Sequence, residues 1–378
     1  MIDLSVTAPA RLATRLAFLA AGFAMACWAP LIPYVKARVG ADEAELGLLL
    51  LCLGIGSVTA MPVTGFLASR YGARSMVLLG GLGMVATLPL LAISGSSVVL
   101  GAVLLLFGAA LGTLDVSMNV HAVEVETKES RPLMSGFHAM FSVGAFIGSG
   151  LTTFVLSVGF GPFSASVIGA LLALFMIAFA GPRLLRARPE EAHGFSFPRG
   201  IVLLLAVLAG IAFLAESAVL DWGALLLIDR AMAAPQNAGL GYMLFSIAMV
   251  VARLTGDRIV SALGEFRVLV GGGIVTIMGI AVTLLAPWAL LTMGGFVLIG
   301  LGAANVVPVI FSATGRQKVM PAGLAIASAT TVGYAGILLG PALIGFAAHV
   351  TSLPTAFWIV AVLMMAVPLT AGIVARVK

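Results

Sequence analysis

Twelve stretches, each about long enough to cross a bilayer and each dominated by apolar side chains, follow one another along this chain with mostly short connections. A helix spanning the hydrocarbon core needs roughly 20 such residues. The spacing predicts helices at 12–35, 44–68, 76–94, 97–122, 132–157, 161–182, 200–228, 238–256, 267–286, 288–313, 322–347 and 352–375. Charge agrees with that reading. The 378 residues include only 20 Lys+Arg and 15 Asp+Glu, and 61% are hydrophobic. A soluble domain of this size needs more charge on its surface, whereas lipid-facing helices need none. The expected fold is therefore an all-α membrane protein of twelve transmembrane helices.

Several function classes fall away. The net charge of +5 is spread over helix ends, not gathered into one basic face, so nucleic acid is not an expected partner. Cys27 and Cys52 lie inside apolar runs and read as small core residues, without a disulfide or metal framework. The first run follows Arg11 and Arg15, has the length of a full span and lacks a clear small-residue cleavage site, so it reads as a span, not a cleaved signal. There is no Walker loop, no metal-ligand spacing among the four histidines and no nucleophile with a base. Neither an enzyme nor a cofactor or metal is expected.

Basic residues orient the chain. With both termini inside, 17 Lys and Arg fall on the inner side and only Lys36, Arg38 and Arg230 on the outer. That is the asymmetry of cytoplasmic loops. Adding or losing one span would exchange the sides of every later loop and erase it. One connection is long and polar, PRLLRARPEEAHGFSFPRG, from Pro182 to Gly200. It divides the chain into a six-helix bundle over 1–182, a cytoplasmic linker over 183–199 and a second six-helix bundle over 200–378. The halves repeat: Gly72 and Gly264 are 192 apart, as are Gly144 and Gly336, and Gly148 and Gly340, while Asp115 and Asn305 are 190 apart. A parallel repeat of this kind places a binding site where two bundles meet.

Between the second and third spans the chain reads Gly65-Phe-Leu-Ala-Ser-Arg-Tyr-Gly-Ala-Arg74. This resembles the loop signature of the major facilitator superfamily, G-x-L-x-D-R-x-G-R-R. Gly65, Leu67, Arg70, Gly72 and Arg74 match; Ser69 replaces the acid and Ala73 a basic residue. In the family that acid helps lock the cytoplasmic gate. The second-half loop Arg253-Leu-Thr-Gly-Asp-Arg258 keeps an acid, so the resemblance implies a gate built from Gly65, Arg70, Gly72, Arg74, Arg253, Asp257 and Arg258. The fourth span carries Leu114-Asp-Val-Ser-Met-Asn119, similar to an acid-x-x-x-Asn motif of fucose-permease-like sugar transporters. With Glu216-Ser-Ala-Val-Leu-Asp-Trp222 and Asn305-Val-Val-Pro308, the chain looks most like YbjJ-type transporters near that sugar branch. It departs from fucose permease in having no acid on the first span.

The same residues stand out on physical grounds. An ionisable group in hydrocarbon costs several kcal/mol, roughly 2.5–3.5 on insertion scales, so it belongs beside water or a partner. Twelve of the fifteen acids lie at expected helix ends or outside the spans; Asp115, Glu216 and Asp221 do not. Gly108, Gly112, Asp115 and Asn119 form one stripe, small residues for close approach and polar ones for chemistry. Asp115 is either a titrating group or a packing acid, and a neutral Asn would pack at less cost. His138 lies within about 1–2 Å of the same depth on the next helix. It is a proton partner for Asp115, or a histidine bonded to backbone. Glu216 is the second proton-coupling candidate. Asp221 and Trp222 contact solute, close an outer gate or anchor the interface. Trp28, beside Pro30 and Pro33 on a helix those prolines should kink, stacks on a sugar ring or joins the interfacial aromatic belt.

These readings converge on a secondary transporter of a small polar organic solute such as a sugar, working by alternating access with protons. Asp115, Glu216 and His138 would handle protons, and Asn119, Asn305, Trp28, Asp221 and Trp222 the solute. Its partners are the solute, protons and the lipid bilayer, and it should act as a monomer in a bacterial cytoplasmic membrane. Proton-driven efflux of amphipathic drugs is the alternative, and a sensor without flux a third.

Overall fold

The computed structural model of the chain describes residues 4–41, 43–186, 197–232 and 240–377. Of the linker expected over 183–199, residues 187–196 lie outside the described residues. Everything described is helix and short connection. The helices are α1 Leu4–Trp28, α2 Ile32–Val39, α3 Glu43–Tyr71, α4 Ala73–Ile93, α5 Ser97–Glu129, α6 Met134–Ser157, α7 Pro162–Ala180 and α8 Ile201–Asp229. There follow α9 Leu240–Leu263, α10 Glu265–Leu285, α11 Ala289–Ala303, α12 Val306–Arg316, α13 Ala322–Val350, α14 Leu353–Met364 and α15 Ala366–Val374.

Among the described residues, 11 spans are long and apolar enough to cross a membrane. The twelfth helix, α9, has comparable length but carries Arg253, Asp257 and Arg258. The chain is a multi-pass membrane protein. Helices suit that setting because they satisfy every backbone group within one segment.

Prolines explain where spans are interrupted. A proline has no N–H for the carbonyl four residues back, and its ring crowds that carbonyl. The first span breaks at the 3-10 turn Ala29–Leu31, which contains Pro30 and begins four residues before Pro33. The tenth breaks between α11 and α12, four residues before Pro308, and the last at Met365, three before Pro368. Pro62 and Pro89 stay inside α3 and α4, so proline alone does not force a break.

The chain divides into two compact units: Met1–Arg131 with Phe137–Phe197 and Pro321–Ser328, and Pro132–Gly136 with Pro198–Met320 and Ala329–Lys378. In the first, α5 packs against α3 and α4, and α7 against α1 and α4. In the second, α11 packs against α9 and α10, and α14 against α8 and α10. The pairings repeat as the sequence does. Gly72 (φ 82, ψ 150) and Gly264 (φ 79, ψ 157), 192 residues apart, make the same one-residue turn between helices in a region open to glycine.

The glycine stripe on α5 seats it against α3. A Cβ on Gly108 would overlap the Leu53 carbonyl oxygen, and one on Gly112 would sit 2.6 Å from that of Ser57. The Ser57 hydroxyl donates to the Gly108 carbonyl at 2.8 Å. The repeat preserves this: a Cβ on Gly300 would overlap the Phe245 carbonyl oxygen. Gly108→Leu should therefore push α3 from α5 and lower stability by about 1–3 kcal/mol or more. Gly150→Ala, with nothing within 4 Å of the added carbon, should be neutral or slightly stabilising. Thermal unfolding of both variants checks this; equal losses would refute the packing argument.

Candidate functional site

The second unit holds a buried ion pair on three helices. Glu216 lies at mid-length on α8 and Arg253 at mid-length on α9. Arg253 Nη2 meets Glu216 Oε1 at 3.1 Å, with side chains 8% and 20% exposed. The third helix enters through its break. Pro308 cannot donate to the Ala304 carbonyl, four residues earlier. Arg253 Nε donates to that oxygen instead, at 3.1 Å. A guanidinium at the carboxyl end of α11 is also favourable for the helix dipole. Asn305 (φ −104, ψ 0) returns a bond, its Nδ2 donating to the Ala252 carbonyl at 3.3 Å. Gly256 makes the approach possible, since a Cβ there would overlap Asn305 Oδ1. That oxygen is buried and accepts no hydrogen bond from the described residues.

The first unit places Asp115 mid-way along α5, which runs unbroken where its counterpart is split. Asp115 is 8% exposed, and its carboxylate has no hydrogen-bond or ion-pair partner among the described residues. One turn on, Asn119 Nδ2 donates to the Asp115 carbonyl at 2.9 Å, and Asn119 Oδ1 is buried without a partner among the described residues. His138, at matching depth on α6, does not hydrogen-bond Asp115; its ring lies 5.2 Å from that of Phe18. Trp28 is 5% exposed, so it does not face lipid as a belt residue would, and its Nε1 has no acceptor among the described residues. Asp221 is exposed on α8; the Trp222 ring lies against Gly345, where a Cβ would be 3.0 Å away.

The residues expected to gate lie in both units. Arg253 is buried in the three-helix junction just described. Within the second unit, Asp257 Oδ1 accepts the Gly136 N–H at 3.1 Å, a carboxylate at the amino end of α6 where the helix dipole favours it. Arg258 is exposed. Within the first unit, buried Gly65 faces Ala327, whose Cβ leaves no room for a side chain at 65. Arg70 lies over the Tyr71 ring at 5.5 Å, and Gly72 makes the turn to Arg74.

Sequence reasoning missed two features. His121 is fully buried on α5: Leu185 N–H donates to its Nε2 at 2.9 Å, and its Nδ1 is 3.0 Å from Thr14 Oγ1. Thr14 donates to the Ala10 carbonyl, so its oxygen is free to accept and the ring is neutral with its proton on Nδ1. Glu129 Oε2 takes Arg11 Nη1 at 2.7 Å and Arg131 Nε at 2.8 Å. Opposite charges on different helices were the available signal for Glu129; the sequence holds none for His121.

The family model of the Major Facilitator Superfamily matches residues 16–317. A Yersinia pestis protein described as an uncharacterized MFS-type transporter is 46% identical over 368 residues, 97% of this chain and 96% of its own. The Escherichia coli fucose:proton symporter FucP shares the fold at TM-score 0.76 and 16% identity, covering 100% of both chains. The human organic anion transporter MFSD10 does so at TM-score 0.78 and 15% identity, covering 97% of this chain and 99% of that one. A twelve-span fold with duplicated bundles and matches to the family over most of its length make this chain a member of the major facilitator superfamily, a membrane transporter and not an enzyme.

Proposed function

We propose that this transporter carries a small polar organic solute, a sugar or polyol, by alternating access together with protons. The observation that carries the reading is the state of two intramembrane acids, Asp115 and Glu216. Glu216 has Arg253 as a fixed counter-ion, whereas Asp115 has none among the described residues. An uncompensated carboxylate in hydrocarbon is expensive, and a proton taken up there cancels the charge. Asp115 is then the leading coupling group, Glu216, whose pairing with Arg253 responds to solute, the second, and His138 a further proton carrier. The unpartnered amide oxygens of Asn119 and Asn305 offer acceptors for solute hydroxyls, and Trp28 a ring face. Asp221 and Trp222 serve the outer side. Gly65, Arg70, Gly72, Arg74, Asp257 and Arg258 serve the inner gate, with both termini cytoplasmic in a bacterial inner membrane. Likeness to a fucose:proton symporter supports the solute class.

The test is a shift in melting temperature of the purified protein across sugars, polyols, organic acids and amphipathic drugs, at two pH values. A ligand at a hundred times its Kd stabilises by about 2.7 kcal/mol. A sugar or polyol should give the shift, with a pH-dependent size. Shifts confined to amphipathic drugs would replace this reading with efflux.

A further inference from the structure

The basic residues near the helix ends divide into satisfied and unsatisfied ones. Arg11 and Arg131 share Glu129, Arg316 pairs with Glu265 at 2.7 Å, and Arg183 donates to the Phe179 carbonyl at 2.6 Å while stacking on its ring. Several others have no ion-pair partner among the described residues, and Arg70, Arg74 and Arg186 are three of them. Two of the three line a cleft of about 330 Å³ in the first unit, bounded by Tyr71, Gly72, Arg74, Ser75 and Arg186. Among the described residues no carboxylate borders it, and Ser69, where an acid would have been expected, turns its hydroxyl to the Phe66 carbonyl at 2.7 Å. The cleft opens on the first turn of α4, adding the positive end of a helix dipole.

We propose that this cleft binds the phosphate of an anionic phospholipid, held between Arg74 and Arg186. Planar guanidinium groups are suited to phosphate oxygens, and basic residues near a membrane surface attract acidic lipids. What selects a lipid over a free ion is the apolar surface near the cleft. The two helices pack together, Gly81 against Ile177 and Gly181 against Leu78. They expose Leu79 and Leu82 on α4 and Phe175 and Phe179 on α7. A headgroup in the cleft leaves its acyl chains beside those side chains, a contact free phosphate cannot make. The inference stands apart from the identity of the transported solute.

The full-length protein would be equilibrated with equal amounts of phosphatidylglycerol and phosphatidylcholine and its retained lipids counted by native mass spectrometry. Wild type should retain phosphatidylglycerol in preference. R74Q/R186Q should lose that preference about thirtyfold, phosphatidylcholine unchanged, whereas R267Q/K318Q, with the same loss of charge at two exposed positions, should keep it. If the first double variant does not fold, R186Q alone, at an exposed position, should lower retention about fivefold. Equal retention by the two double variants would overturn the site. Displacement of phosphatidylglycerol by equimolar inorganic phosphate would overturn the lipid assignment.

Discussion

Arg253→Met is expected to destabilise the protein by about 3–5 kcal/mol, the cost of leaving a buried charge without its partner. Two effects combine. Glu216 loses the guanidinium at 3.1 Å, and the Ala304 carbonyl, which Pro308 cannot reach, loses its donor. Glu216→Gln removes only the charge pairing and keeps the Arg253–Ala304 bond. The double variant should recover most of the loss, because deleting both members of a buried pair is often neutral. It should still fall short of wild type by about 1–3 kcal/mol for the uncapped carbonyl. Denaturant unfolding of the four proteins in one mild detergent reads the cycle. Additive single losses in the double variant would show that the pair is not coupled.

The second large effect concerns coupling. With one proton moved per solute, a pH difference of one unit supplies about 1.36 kcal/mol, enough for roughly tenfold accumulation. Wild-type protein in liposomes should approach that ratio. Asp115→Asn should bring it to about one, while exchange of labelled for unlabelled solute across the same membranes continues, since exchange needs no net proton movement. Loss of both activities with normal unfolding behaviour would move Asp115 from coupling to solute binding.

Much of this architecture was legible in the sequence because hydrocarbon is an unforgiving solvent. Spans had to be apolar and about 20 residues long, and acids inside them had to be few. The duplication was equally plain: Gly72 and Gly264 adopt nearly identical backbone angles, and Gly108 and Gly300 press on equivalent carbonyls. What stayed hidden depends on rotation about helix axes and on bonds across long separations. Matching depth suggested an Asp115–His138 pair, but depth does not fix which way a side chain faces, and no such bond forms. Arg253 resembled a gating residue by its place in a loop signature, yet it sits at mid-helix, bonded to a carbonyl 51 residues away. The motif Asn305-Val-Val-Pro308 was visible; that its proline frees the carbonyl Arg253 occupies needed coordinates.

The most direct test of the account is the movement of protons with solute. Liposomes containing the purified protein, with no pH gradient and a weakly buffered exterior, would receive the sugar or polyol found by the melting screen, and the external pH would be followed. Wild type should make the exterior more alkaline as solute and protons enter together, and Asp115→Asn should not while still admitting solute. Solute entry through wild type without any pH change, or an equal change in both proteins, would contradict the claim that an unpaired carboxyl in the membrane couples the two.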